Sequence, residues 1–186
     1  LNFENNFSEL FLSLTSSISN VGFSLNNSPN NLSFVFLILV IIGGSFFSTS
    51  SGIRFLKIYS LFKYSINEIL SYSRPKNIYI NKHLFSKDSF KIDEIYKYFL
   101  SVIVFIISLL ILTFLLTLSG INFESSFKLS ILTIMNTVNS SMFGLSDFSF
   151  YDLHFITKYY LIFFMIVGRL ELLTLLIICK KFLFKN

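Results

Sequence analysis

Long apolar runs dominate the chain, and two short Ser/Thr/Asn/Gly stretches interrupt them where a membrane protein tolerates interruption least. Residues 7–18 are apolar with interspersed Ser and Thr, after Asn5 and Asn6. At about 1.5 Å per residue this run crosses roughly half of a hydrocarbon core about 30 Å thick, which predicts a re-entrant half-helix. A polar stretch follows at 16–24 (SSISNVGFS), then a turn cluster at 26–31 (NNSPNN). Residues 32–42 are solidly apolar, are broken at 43–52 (GGSFFSTSSG), and resume at 53–62. One unbroken helix over 32–62 would be about 46 Å long, more than a bilayer needs, so a helix interrupted within the membrane is predicted.

Residues 63–94 are polar, and Arg74-Pro75 should end any helix near Ser73. Residues 99–118 are twenty positions without a charge, about 30 Å of helix and the clearest span in the chain. An outer turn at 119–124 leads to a second half-length apolar run, 127–138, and a second polar stretch, 139–146 (NSSMFGLS). Residues 161–179 form the last span, with Arg169 and Glu171 inside it and a basic tail behind it.

The two halves share this order, and Asn20-Val21-Gly22-Phe23-Ser24 has a counterpart in Met142-Phe143-Gly144-Leu145-Ser146. A repeated unit of this kind is expected of a pore built by duplication. The expected fold is therefore an all-α integral membrane protein of helix–pore helix–helix repeats, with re-entrant half-helices and one interrupted helix. Residues 1–62 would be a partial repeat, 63–94 a connector and 95–186 a complete repeat.

Composition sharpens the picture. The 186 residues are 53% hydrophobic and 13% charged, with a mean hydropathy of +0.70 and 25 Phe. A soluble domain is nearer one-quarter charged. The net charge of +5 does not mark a nucleic-acid binder, because its distribution is that of a membrane protein. Lys and Arg are absent from 1–53, crowd into 54–97 and return at Lys180, Lys181 and Lys185, with only Lys128, Lys158 and Arg169 elsewhere. The positive-inside rule then puts the 54–97 loop and the C-terminus in the cytoplasm. Both half-helices fall on the outer side, which disfavours an inverted-repeat transporter. The single Cys179 excludes a disulfide framework and a Cys-based metal site. The chain begins at Leu1 without a signal peptide, and a re-entrant segment so early is read as the C-terminal part of a longer protein.

An irregular segment at membrane depth must be buried in protein or line a water-filled path. Half-helices that end on backbone carbonyls are how ion paths are built, so the pattern points to ion movement. A K⁺-type filter turns successive carbonyls toward an axis and needs residues that tolerate positive φ. Gly22 and Gly144 are the candidates, with Ser19, Asn20, Val21 and Phe23 around the first and Ser141, Met142, Phe143 and Leu145 around the second. Either glycine alone would read as a helix C-cap; their matched positions favour a filter. Arg169 at mid-span should face protein or water and have a partner. Glu171 is a poor one, since two residues apart on a helix means faces roughly 200° apart. The irregular stretch Gly43, Gly44, Ser45, Ser48, Thr49, Ser50, Ser51 and Gly52 fits Arg169 better. His83 and His154 have no neighbours at ligand spacing, and no nucleotide-binding or nucleophile–base motif appears, so neither a metal centre nor an enzyme is indicated.

These residues resemble the Trk/Ktr/HKT superfamily of K⁺ and Na⁺ transporters. Residues 11–24 (FLSLTSSISNVGFS) are similar to a family pore helix and filter, and 43–54 (GGSFFSTSSGIR) to the intramembrane loop of the third repeat. Arg74-Pro75 stands where the family has a cytoplasmic His-Pro or Arg-Pro, and 168–171 (GRLE) matches the last-helix motif. Phe47 replaces a loop glycine, and Ser50 and Ser51 replace small or Gly positions.

The resemblance implies the third repeat from its pore helix onward, followed by a whole fourth repeat. It further implies K⁺ passing through one filter made by four repeats, with the 43–52 loop as gate and Arg169 beneath the filter. K⁺ would be the transported ion, held by filter carbonyls alone, with no bound cofactor. Implied partners are membrane lipid, the remaining repeats, a second copy in a homodimer and a cytoplasmic nucleotide-binding regulatory ring, with no nucleic acid. The implied location is a bacterial plasma membrane. A Na⁺-selective relative and a non-conducting membrane scaffold are the competing readings; two repeats alone cannot close a four-fold filter.

Overall fold

The computed structural model describes residues 3–23, 32–43, 55–72, 92–139, 141–145, 149–151 and 153–169. Among them the secondary structure is helical throughout: α1 (Phe3–Ile18), α2 (Ser33–Ile42), α3 (Phe55–Tyr72), α4 (Ile92–Leu118), α5 (Phe123–Met135) and α6 (Phe155–Arg169). A 3₁₀ turn at Ser141–Phe143 follows α5.

Helix α5 is the centre of the packing. It contacts α4, α6 and α2, and Leu129 through Met135 are buried without exception. Phe36, Leu37 and Val40 of α2, Phe105, Leu109, Leu112 and Leu116 of α4, and Leu161 and Phe164 of α6 close around it. A buried hydroxyl relay joins α4 to α5: Thr113 Oγ1 donates to Ser130 Oγ at 3.0 Å, and Ser130 Oγ donates to the Ser126 carbonyl at 2.6 Å. Hydroxyl contacts of this kind hold helices together where lipid is as apolar as leucine. At the other end of α4, Lys57 Nζ of α3 donates to Ser101 Oγ at 3.3 Å.

The outer faces of α4 and α6 are apolar too. Ile106, Ile107, Leu110, Ile111 and Phe114 are exposed on α4, as are Ile162, Phe163 and Ile166 on α6. A helix that is apolar all round is a membrane helix or a deeply buried one. The stretch Glu94–Leu118 is long and apolar enough to cross a bilayer.

Several boundaries differ from the sequence expectation. Helix α5 begins at Phe123 rather than 127 and ends at Met135 rather than 138. At its start Glu124 sits in the first turn, where a carboxylate suits the positive helix end, and pairs with Lys128 at 2.6 Å. At its end Asn136 turns left-handed (φ 55°) and stops the helix. Helix α6 begins at Phe155, ahead of the expected 161, and takes in Lys158. Lys158 Nζ donates to the Tyr151 carbonyl at 3.0 Å and lies 5.8 Å from the Tyr151 ring centre. Helix α3 runs on to Tyr72 and stops just short of Arg74-Pro75, as that pair predicts, whereas α4 starts at Ile92, ahead of the expected 99. The expected break after residue 42 is present: Gly43 leaves the helix with extended backbone (φ −58°, ψ 160°). Residues 44–54, 73–91 and 170–186 lie outside the described residues.

Candidate functional site

Helices α1 and α5 are short, Ser/Thr-bearing helices that end in the same way. After Ile18, Asn20 takes φ 58°, its N–H donates to the Ser17 carbonyl at 3.2 Å, and Val21 N–H reaches back to the Ser16 carbonyl at 3.0 Å. After Met135, Asn136 takes φ 55°, its N–H donates to the Thr133 carbonyl at 3.1 Å, and Thr137 N–H reaches the Leu132 carbonyl at 2.9 Å. This pair of bonds is the Schellman closure, and Asn is the non-glycine residue best suited to its left-handed position. The match extends up both helices. Phe7 and Phe11 stack at 6.5 Å and 19°, and Phe123 and Phe127 stack at 6.4 Å and 20°.

That register pairs Phe7 with Phe123, Ile18 with Ile134 and Asn20 with Asn136. The counterpart of Val21-Gly22 is therefore Thr137-Val138, whereas the sequence pairing matched Gly22 with Gly144. Gly144 does have positive φ, 70°, as Gly22 has 80°. However, Ser141, Met142 and Phe143 form the 3₁₀ turn against α2, and Met142, Phe143 and Leu145 are core residues at 0%, 0% and 4% exposure. Their three side chains pack into the apolar core. Thr137 and Val138 were not singled out from the sequence. The signal for them was Ile18-x-Asn20 recurring as Ile134-x-Asn136, masked by the more conspicuous glycines.

The two segments meet. Val138 N–H donates to the Val21 carbonyl at 3.3 Å, so that carbonyl is engaged between the segments. A Cβ on Gly22 would overlap the Val138 carbonyl oxygen and lie 2.8 Å from Thr137 Cγ2. Glycine is needed there for both space and φ. Asn20 is buried, while Ser19, Val21 and Phe23 are exposed around the joint. Ser16 Oγ, Thr137 Oγ1 and Asn139 Oδ1 are buried beside it without a hydrogen-bond partner. An apolar cavity of about 480 Å³ opens between α5 and α6 and reaches Thr137, Val138 and Asn139.

Each short helix also seats on the helix that follows it. Gly43, the first residue of the expected gate loop, lies where a Cβ would come within 2.7 Å of the Ile18 carbonyl oxygen. Gly168 lies where a Cβ would overlap the Ile134 carbonyl oxygen. The remaining gate-loop residues, Gly44, Ser45, Ser48, Thr49, Ser50, Ser51 and Gly52, are outside the described residues, as is Glu171. Arg169 follows Gly168 as the last residue of α6 and is exposed. His154 serves the start of α6: its carbonyl accepts from Thr157 N–H at 3.0 Å, and its Nδ1 accepts from Ile156 N–H at 3.4 Å.

Among the described residues, an all-helical arrangement with apolar outer faces and two short helices stopped alike is that of a membrane protein with re-entrant helices. Residues 2–184 match the TrkH family of cation transport proteins, and the chain belongs to that family. Its fold is similar to that of the potassium transporter TrkH from Vibrio parahaemolyticus, with a TM-score of 0.78 and 23% identity. The likeness covers 92% of this chain and 36% of that one, so the chain spans about a third of that transporter's length. A comparison with curated proteins returned no match.

Proposed function

We propose that this chain supplies the last part of a K⁺-conducting path. In this reading it is the third repeat, from its pore helix onward, plus the fourth. The observation that carries the reading is the joint itself: two short helices with one shared ending, whose following segments touch through Val138 and Val21. Membership of the TrkH cation transport family and the fold it shares with a potassium transporter support the choice of ion. In this reading the fourth-repeat lining is 136–139, ahead of Ser141–Leu145, which the shared helix endings support. Orphan oxygens at Ser16, Thr137 and Asn139 suit a place where water or a cation supplies the missing partner.

A missing portion ahead of α1 is supported by its bare face. Leu14 and Ile18 are 37% and 49% exposed, whereas their counterparts on α5, Ser130 and Ile134, are 0% and 1% exposed under α4 and its neighbours. A membrane helix preceding α1 would cover Leu14 and Ile18 as α4 covers the α5 counterparts. The loop from Gly43 to Gly52 acts as gate, with Arg169 close beneath the filter. The C-terminus is cytoplasmic, in a bacterial plasma membrane. On the family resemblance alone, the whole transporter is a homodimer seated on a cytoplasmic nucleotide-binding ring.

Reconstitution of the full-length transporter into vesicles tests this. K⁺ flux above that of protein-free vesicles, and above Na⁺ flux in the same preparation, is expected. Equal K⁺ and Na⁺ flux would point to the Na⁺-permeable relatives. No flux in well-folded protein would leave the membrane scaffold as the better reading.

A further inference from the structure

We infer that Asn20 and Asn136 are positioning residues of the ion path, each tying the start of its loop segment to the membrane helix behind it; the inference rests on the transport reading above. With its amide turned so that the NH₂ faces the surrounding carbonyls, Asn20 donates to the Val40 carbonyl at 3.1 Å and to Ser17 at 3.1 Å. Asn136 Nδ2 donates to the Met165 carbonyl at 3.0 Å. Val40 lies three residues before Gly43, and Met165 three before Gly168. Those are the two glycines that admit the Ile18 and Ile134 carbonyls. The same tie, from the same left-handed residue to the same place on the following helix, therefore occurs twice.

A helix stop alone does not need asparagine. Glycine takes the left-handed position with less strain and is the commonest residue there. What glycine lacks is the side-chain amide, which crosses to the next helix and fixes where the segment departs. Both segments then run into the shared Val138–Val21 contact. Slack in either tie is passed to that contact, and an ion path defined by backbone oxygens tolerates little displacement.

The test is the ratio of K⁺ to Na⁺ uptake by the full-length transporter, with membrane abundance measured alongside. Asn20→Gly and Asn136→Gly keep the backbone conformation and remove the tie. Each is expected to reach the membrane at near wild-type level and to lower the ratio roughly threefold to tenfold, the range set by loss of one such hydrogen bond. Asn20→Asp and Asn136→Asp keep the shape and exchange the donor for an acceptor, and should lower the ratio as far. A wild-type ratio in the Gly variants would reduce both residues to helix stops and overturn the inference. Loss of all four variants from the membrane would also overturn it, by making the ties a requirement of folding only. A wild-type transporter without K⁺ flux would instead refute the transport reading beneath it.

Discussion

Replacing Gly168 with alanine sets helix propensity against packing, and the structure decides the sign. Gly168 is a buried helical residue with no positive φ, so propensity alone favours alanine by up to about 1 kcal/mol. The added Cβ, however, overlaps the Ile134 carbonyl oxygen and lies 3.0 Å from the Ile134 carbonyl carbon and 3.3 Å from Asn136 Nδ2. The obstacle is backbone at the buried end of α5, which cannot rotate aside as a side chain would. Overpacking of this kind costs about 1–3 kcal/mol. Pushing α6 away from α5 also stretches the 3.0 Å bond from Asn136 to Met165, whose loss costs about 0.5–1.5 kcal/mol. After subtracting the propensity gain of about 1 kcal/mol, a net destabilisation of about 0.5–3.5 kcal/mol remains. Thermal unfolding of the purified full-length protein in detergent measures it. Gly120→Ala is the control, since Gly120 has open space around it and only its φ of 88° to oppose alanine, a strain of about 1–2 kcal/mol. A Gly168→Ala protein as stable as wild type, or more so, would show that α6 does not seat on Ile134.

Gly22→Ser forces a Cβ against the Val138 carbonyl at a φ of 80°, and should weaken K⁺ over Na⁺ discrimination in flux assays while the protein still inserts. Thr113→Val removes the donor to Ser130 at nearly constant volume and should lower stability by about 0.5–1.5 kcal/mol in the same unfolding assay, without changing ion preference. Arg169→Gln removes a fixed charge and should change flux with insertion intact, and Arg169→Lys should only partly restore it, since the planar fork is lost. The opposite ranking, with Glu171→Gln severe and Arg169→Gln silent in uptake, would place the path on another face of the last helix.

Much of the fold was legible because apolar run length is a strong signal against a bilayer of fixed thickness. The uncharged run 99–118 lies inside α4, and Gly43 ends α2 where the Gly-Gly pair suggested. Boundaries among polar residues were less legible: α6 takes in Lys158 ahead of the expected 161, whereas α3 stops at Tyr72, beside the Arg74-Pro75 that the sequence marks as a helix end. The ends of the short helices were harder still, because Asn136 looks like an ordinary polar residue until its φ is known. The helix endings pair 20–22 with 136–138, whereas the glycines in the sequence pair them with 142–144. The ties from Asn20 to Val40 and from Asn136 to Met165 link residues far apart in sequence, and no local pattern shows them.

The enclosure of α5 carries a consequence for how the polypeptide is made. At 13 residues this helix is about 20 Å long, too short to bridge the bilayer, and it continues into irregular backbone at 137–139. Alone in lipid, unbonded N–H and C=O groups of that loop would each cost several kcal/mol. A translocating channel releasing segments in order could deposit α4 by itself, but α5 has no stable place until its walls exist. Its entry must therefore await the arrival of α6, so that one turn, one short helix and one long one settle together rather than in sequence.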